Sequence, residues 1–185
     1  MSPLPREFVL FDTEFTAWPG SQDRHWTGPG EHRELIQIGA IRVRDIVEVG
    51  CFMTYVRPTL NPTLSDFIMD LTAISQKHVD EAPPFPEALT AFEEFVGELP
   101  AYSWGSDADV FDENGLIAGD ARRLSRERFR DLKPTIVPFL AARGIDESRY
   151  SSGTLHQAFD VPATGRAHDA LNDVRNLLVA LRELV

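Results

Sequence analysis

The chain has 185 residues, 43% apolar, 25% charged and 10% aromatic, with a formal net charge of −11 at pH 7. That length fits one domain burying roughly 70% of its unfolded surface, and the composition excludes a fibrous or low-complexity chain. The acidity excludes a protein that coats long duplex nucleic acid through a basic surface, so a polyanionic substrate would be engaged over a short length, with metal ions offsetting some acid charge.

Residues 7–12 (EFVLFD) predict a first strand, and Asp12-Thr13-Glu14 closes it. Residues 15–33, with three Gly and several polar residues, predict a loop. Residues 35–43 and 47–56 predict a second and third strand joined by a hairpin at Arg44-Asp45, so the first three strands form a meander with strand 1 central. Ser65 can cap a helix whose Leu64, Phe67, Ile68 and Leu71 share a face. A short helix is expected over 74–79 and a longer one over 85–99, striped by Phe85, Leu89, Phe92 and Val96. Residues 101–105 predict a fourth strand. Helical patterns follow around 107–118, 121–131, 134–143 and 152–159, and a last helix is expected from Ala167 to Leu184. Three strands in a row, then helices alternating with short strands, imply an α/β sheet of mixed direction.

Cys51, the single cysteine, rules out an internal disulfide and is expected to be buried and inert. The N-terminus lacks a signal-peptide pattern and no apolar run reaches the roughly 20 residues of a membrane span, so a cytoplasmic location and no membrane partner are expected.

Strand alternation puts Asp12 and Glu14 on one face and Thr13 on the other. Two carboxylates so close raise each other's pKa unless a cation sits between them; a solvated strand end would tolerate them as well. Near the C-terminus, His168 and Asp173 are separated by about 140° of helical rotation, so His168 reaches over the helix entrance while Asp173 projects from the second turn. Either could instead be a solvated side chain. After the fourth strand, Asp107 shares a helical face with Val110 and Phe111 and points inward, whereas Asp109 lies about 160° away. Asp107 is therefore preferred as the third acid, with a plain N-cap as its other role.

The ordered set Asp12-x-Glu14, Trp104-Gly105 followed by Asp107, and His168 with Asp173 resembles the DEDDh exonucleases of the DnaQ-like, RNase H-fold superfamily. Asn61-Pro62-x-Leu64-Ser65-x-Phe67, then Leu71-Thr72-Ala73-Ile74-x-Gln76, and Asp131-Leu132-Lys133 are similar to its Eri-type 3′–5′ exoribonuclease branch, which includes the sporulation-inhibitor-like exonucleases. Ala73 stands where that branch usually has Gly. One residue, not the usual two, separates Trp104-Gly105 from Asp107, so strict spacing would fall on Ala108.

The resemblance implies an RNase H-like mixed five-stranded sheet flanked by helices, forming a single exonuclease domain over 1–185. It implies two divalent cations, Mg²⁺ or Mn²⁺, held by Asp12, Glu14, Asp107 and Asp173, with His168 as general base. The expected reaction hydrolyses the 3′-terminal phosphodiester of a single strand, RNA more than DNA, and releases nucleoside 5′-monophosphates. Phe15, Thr16 and Trp18 are the candidate contacts for the terminal nucleotide, with Trp26 expected to pack the loop instead. Residues 122–133 hold six of the 18 basic side chains and either guide the strand or form a solvated helix face. Two other readings stay open: a catalytically idle member that binds nucleic acid or protein, and a phosphodiesterase of small nucleotides.

Overall fold

The computed structural model describes residues 4–120 and 122–184. Among them, five strands form one sheet: β1 (Glu7–Phe15), β2 (Leu35–Arg44), β3 (Val47–Tyr55), β4 (Ala101–Ser103) and β5 (Phe129–Asp131). Their order is β3-β2-β1-β4-β5, with β1–β2 and β2–β3 antiparallel and β1–β4 and β4–β5 parallel. The expected meander and the central place of β1 are therefore present. Among the described residues, six α-helices accompany the sheet: α1 (Asp66–Thr72), α2 (Gln76–Asp80), α3 (Phe85–Val96), α4 (Asp107–Ile117), α5 (Lys133–Ala141) and α6 (Ala170–Arg182).

Alternation along β1 sorts its side chains into two cores. Phe8 and Leu10 join Val174, Leu177, Leu178 and Leu181 of α6 on one face. Val9 and Phe11 join Leu89 and Phe92 of α3, Phe111 of α4 and Phe129 on the other. Each buried aliphatic or aromatic side chain contributes about 1.5–3 kcal/mol, so both faces of this strand are anchored tightly where Asp12-Thr13-Glu14 begins.

Gly39 brings α6 onto the sheet. It pairs with Asp12 across β1–β2, and a Cβ there would lie 2.3 Å from the Leu171 backbone nitrogen and 2.4 Å from the Ala170 carbonyl carbon. No larger residue lets the start of α6 approach so closely.

Several sequence expectations are corrected. Residues 122–128 are loop and turn leading into β5, not a helix over 121–131; Ala121 lies outside the described residues. The three residues of β5 are too few to show strand alternation, and it is pairing with β4 that holds them extended. The basic side chains there are largely neutralised: Arg122 pairs with Asp120 and Glu93, Arg123 with Asp112, and Arg126 with Asp109 and Asp112. Residues 155–159 form a 3-10 turn, and α6 starts at Ala170 because Asp169 is its N-cap. Phe67 is 39% exposed, although Leu64 and Ile68 of the same stripe are buried. Cys51 is exposed, because β3 is an edge strand whose alternate residues Val47, Val49 and Met53 also point away from the core. Ala73 takes the left-handed conformation (φ +61°) that a glycine would favour, and its N–H donates to the Met69 carbonyl to end α1. Among the described residues, no helix is long and apolar enough to cross a membrane.

Candidate active site

The C-terminal half of β1 carries the first two acids. Asp12 and Glu14 follow Leu10 on the α6 side of the sheet, and both are almost fully buried. The Ser152 hydroxyl donates to Asp12 Oδ1 at 2.8 Å. Thr13, on the opposite face, donates its hydroxyl to Asp107 Oδ1 at 2.6 Å.

Asp107 is the first residue of α4, and β4 runs parallel beside β1, so the start of α4 emerges next to the end of β1. The turn between them is shaped by Asp131, which accepts the Gly105 N–H at 3.0 Å and the Lys133 N–H at 2.8 Å. Asp109 is exposed and paired with Arg126, and Ala108 is buried in the core. The one-residue spacing after Trp104-Gly105 thus delivers Asp107, and not Ala108 or Asp109, to the cavity.

The entrance of α6 brings the remaining pair. Gln37 spans β2 and the helix: its Nε2 donates to Asp169 Oδ2 at 3.2 Å and its Oε1 accepts the Ala170 N–H at 2.9 Å. His168 sits in a left-handed turn (φ +59°) and donates its backbone N–H to Asp173 Oδ2 at 3.3 Å. The preceding Arg166 donates to the Asp70 and Leu71 carbonyls at the end of α1, tying the His168 turn to that helix. Gly153 leaves room for Asp173, since a Cβ would fall 2.3 Å from Asp173 Oδ1.

Asp12, Glu14, Asp107, Asp173 and His168 line one cavity of about 330 Å³. Glu14, His168 and Asp173 each offer a ligand atom, and these lie within 4.8 Å of one another. Asp173 Oδ1 is buried without a hydrogen-bond partner. Burial, followed by the Asp107, Glu14 and Asp173 charges, pushes the Asp12 carboxyl well above the usual range, with the Ser152 hydrogen bond opposing. Burial also raises Glu14 strongly, with Asp173 next among the causes. Asp107 is pushed up to about 6 by burial, against the Thr13 hydrogen bond, and Asp173 to about 7 by burial, against the His168 N–H. An orphaned buried oxygen beside mutually repelling carboxylates is what a divalent cation with oxygen ligands relieves, so the donor set fits hard divalent metals. His168 is lowered, first by burial and then by Arg166, which favours the neutral imidazole.

Phe15 lines the cavity and also an adjoining hollow of about 320 Å³ walled by Ala17, Trp26, Phe67, Ile68 and Leu71. Thr16 and Trp18 line neither. The Thr16 hydroxyl donates to the His32 carbonyl and accepts the Glu34 N–H, bracing the loop. Trp26 both packs edge-on against Phe15 and faces the hollow. Ser152, Thr13, Gln37 and Arg33 escape sequence reasoning. Gln37 alone left a signal, an amide inside the apolar run Leu35-Ile36-Gln37-Ile38, and the structure buries it fully.

Residues 9–181 match the family model RNase_T, described as an exonuclease. The chain is 27% identical over 146 residues to the 3′-5′ exonuclease crn-4 of Caenorhabditis elegans, covering 72% of this chain and 49% of that protein. It is 29% identical over 191 residues to ERI1 exoribonuclease 2 of Homo sapiens, covering 91% of this chain and 27% of that protein. The fold matches the nuclease domain of 3′hExo, a DEDDh family member bound to rAMP, with a TM-score of 0.82 at 20% identity, over 100% of this chain and 94% of that one. The chain spans half or less of the length of the curated relatives it matches.

Proposed function

Because the chain belongs to the exonuclease family, as a 3′–5′ exonuclease of the DEDDh type, we propose that it hydrolyses the 3′-terminal phosphodiester of single-stranded nucleic acid, RNA more than DNA, and releases nucleoside 5′-monophosphates. The observation that carries this reading is the convergence of four carboxylates in one cavity, all raised by burial, with Asp173 Oδ1 left unpaired. RNA is favoured because an ERI1 exoribonuclease is a relative, and because the 3′hExo domain of like fold was seen with rAMP.

Asp12, Glu14, Asp107 and Asp173 would hold two divalent cations, Mg²⁺ or Mn²⁺. When bound, such a pair polarises the phosphate, activates a water and stabilises the leaving oxygen. The protein's own part is positional. Ser152 and Thr13 fix the orientations of Asp12 and Asp107 by hydrogen bonds. Gln37 and Asp169 fix the entrance of α6, and with it Asp173. His168, at the cavity mouth, takes the proton from the attacking water; its lowered pKa keeps the imidazole free to accept it. Phe15, with Phe67 and Leu71 across the hollow, offers faces for the terminal base.

Incubating matched 3′- and 5′-labelled RNA and DNA oligomers with Mg²⁺ or Mn²⁺ tests all of this. We expect 5′-labelled RNA to shorten stepwise from its 3′ end, mononucleotide to leave 3′-labelled RNA at once, DNA to be cut more slowly, and EDTA to stop both. No hydrolysis under any condition supports the idle reading, and cleavage confined to mono- or dinucleotide diesters supports the small-nucleotide reading.

A further inference from the structure

Arg33 forms a wall shared by three hollows: the acidic cavity, the hollow beside Phe15, and a groove of about 440 Å³ that continues past Trp26 to Leu116 and Ile117 on α4. Among the described residues lining the acidic cavity, it alone carries a permanent positive charge. Its guanidinium lies 5.9 Å from the Phe15 ring centre and 5.5 Å from that of Trp26, and its side chain is three-quarters buried. Glu113 of α4 holds it through two hydrogen bonds, to Nε and Nη2. Asn114 fixes the backbone at this point, donating to the Arg33 carbonyl and accepting the Leu35 N–H. A planar fork pinned beside two aromatic rings, at the edge of a cavity that must admit a polyanion, is suited to bidentate phosphate recognition.

We propose that Arg33 and the groove beyond it bind the nucleotide preceding the one removed, the guanidinium taking that nucleotide's 5′ phosphate in place of the Glu113 carboxylate. This rests on the exonuclease reading above and names the path of the strand away from the reacting end. Charge and continuity support it. Among the described residues lining the cavity and the groove, Arg33 is the only arginine or lysine, and the groove opens directly from the acidic cavity across it. Trp26, His25 and Leu116 along the groove offer stacking and apolar surface that suits any base. Glu113, partly exposed, acts as the resident anion that the phosphate displaces.

Binding and turnover are read separately. In an Asp12→Asn background with Mg²⁺, fluorescence anisotropy of an RNA octamer reports affinity against salt. Arg33→Ala should raise Kd about tenfold and reduce the slope of log K against log [salt] by about 0.7, one phosphate contact on a single strand. Glu113→Gln should lower Kd about two- to fivefold, a sign that misfolding cannot produce. With Asp12 restored, Arg33→Ala should raise KM on the octamer several-fold more than KM on p-nitrophenyl thymidine 5′-phosphate, which has no preceding nucleotide. An unaltered salt slope in a folded Arg33→Ala protein, weaker binding by Glu113→Gln, or equal loss on both substrates overturns the proposal. If the wild type leaves RNA intact while octamer binding still depends on Arg33, the exonuclease reading fails and the groove stands.

Discussion

Replacing Asp173 by Asn removes a charge that the folded, metal-free protein holds at a cost. Its carboxyl rises to about 7 from an ordinary 3.8 because it is buried, and one of its oxygens has no partner. That difference corresponds to about 4 kcal/mol of destabilisation once the group is ionised in both states. The sign follows from proton binding. Well below pH 3.8 the carboxyl is protonated in both states and the penalty is absent; from there to about pH 7 the unfolded chain ionises first, so stability falls as pH rises. Asn escapes the penalty and still accepts the His168 N–H. Relaxation and water entry reduce the figure, but even about 2 kcal/mol raises Tm by roughly 4–8 °C for a chain of this size. Thermal unfolding in EDTA at pH 4.5 and pH 8 is the assay. The variant should melt only slightly above wild type at pH 4.5 and several degrees above it at pH 8. Adding Mg²⁺ at pH 8 should then raise the wild type, by about 2.7 kcal/mol at a hundredfold excess over Kd, and the variant far less. A variant that melts no higher than wild type at pH 8 would refute the account of a strained acidic cluster.

His168→Ala should lower kcat on RNA by about 10²–10⁴-fold with the circular dichroism spectrum unchanged; a loss under threefold removes its role as base. Gly39→Ala forces a Cβ against the α6 backbone at 2.3 Å, so urea titration should show about 3 kcal/mol lost or no folded protein at all, and an unchanged midpoint would show that α6 can shift freely. Ala73→Gly relieves a left-handed alanine (φ +61°) at an exposed helix end, and should raise Tm by about 2–4 °C, the equivalent of about 1 kcal/mol; a fall would mean that unfolded-state entropy outweighs the strain.

Where the chain repeats a period over many residues, its structure was legible without coordinates. The apolar run of β1, the stripe of α3 and the Leu-rich face of α6 each state their own burial, and the order of elements then implies a mixed sheet. Short or exceptional segments were not legible in that way. The stretch 122–131 looks helical because β5 contributes only three residues and its extended form comes from pairing with β4. Phe67 and Cys51 look like core residues and are exposed, Phe67 because it borders the hollow beside the site and Cys51 because β3 has no neighbour on one side.

The division is the same at the site. Strand alternation is local geometry, so the residues alone place Asp12 and Glu14 on one face, and helical rotation is local too, so they place His168 and Asp173 at a helix entrance. Helical rotation also favours Asp107 over Asp109 by the angle between them. That these five residues meet is a property of the folded chain. Meeting depends on β4 lying beside β1, on Gly39 admitting α6, and on Gln37 gripping its first turn, contacts between residues more than 80 positions apart. The same long-range packing set Ser152 on Asp12 and Arg33 at the cavity wall, and no local pattern could announce either, since a lone serine or arginine acquires its chemistry only from what the fold brings against it.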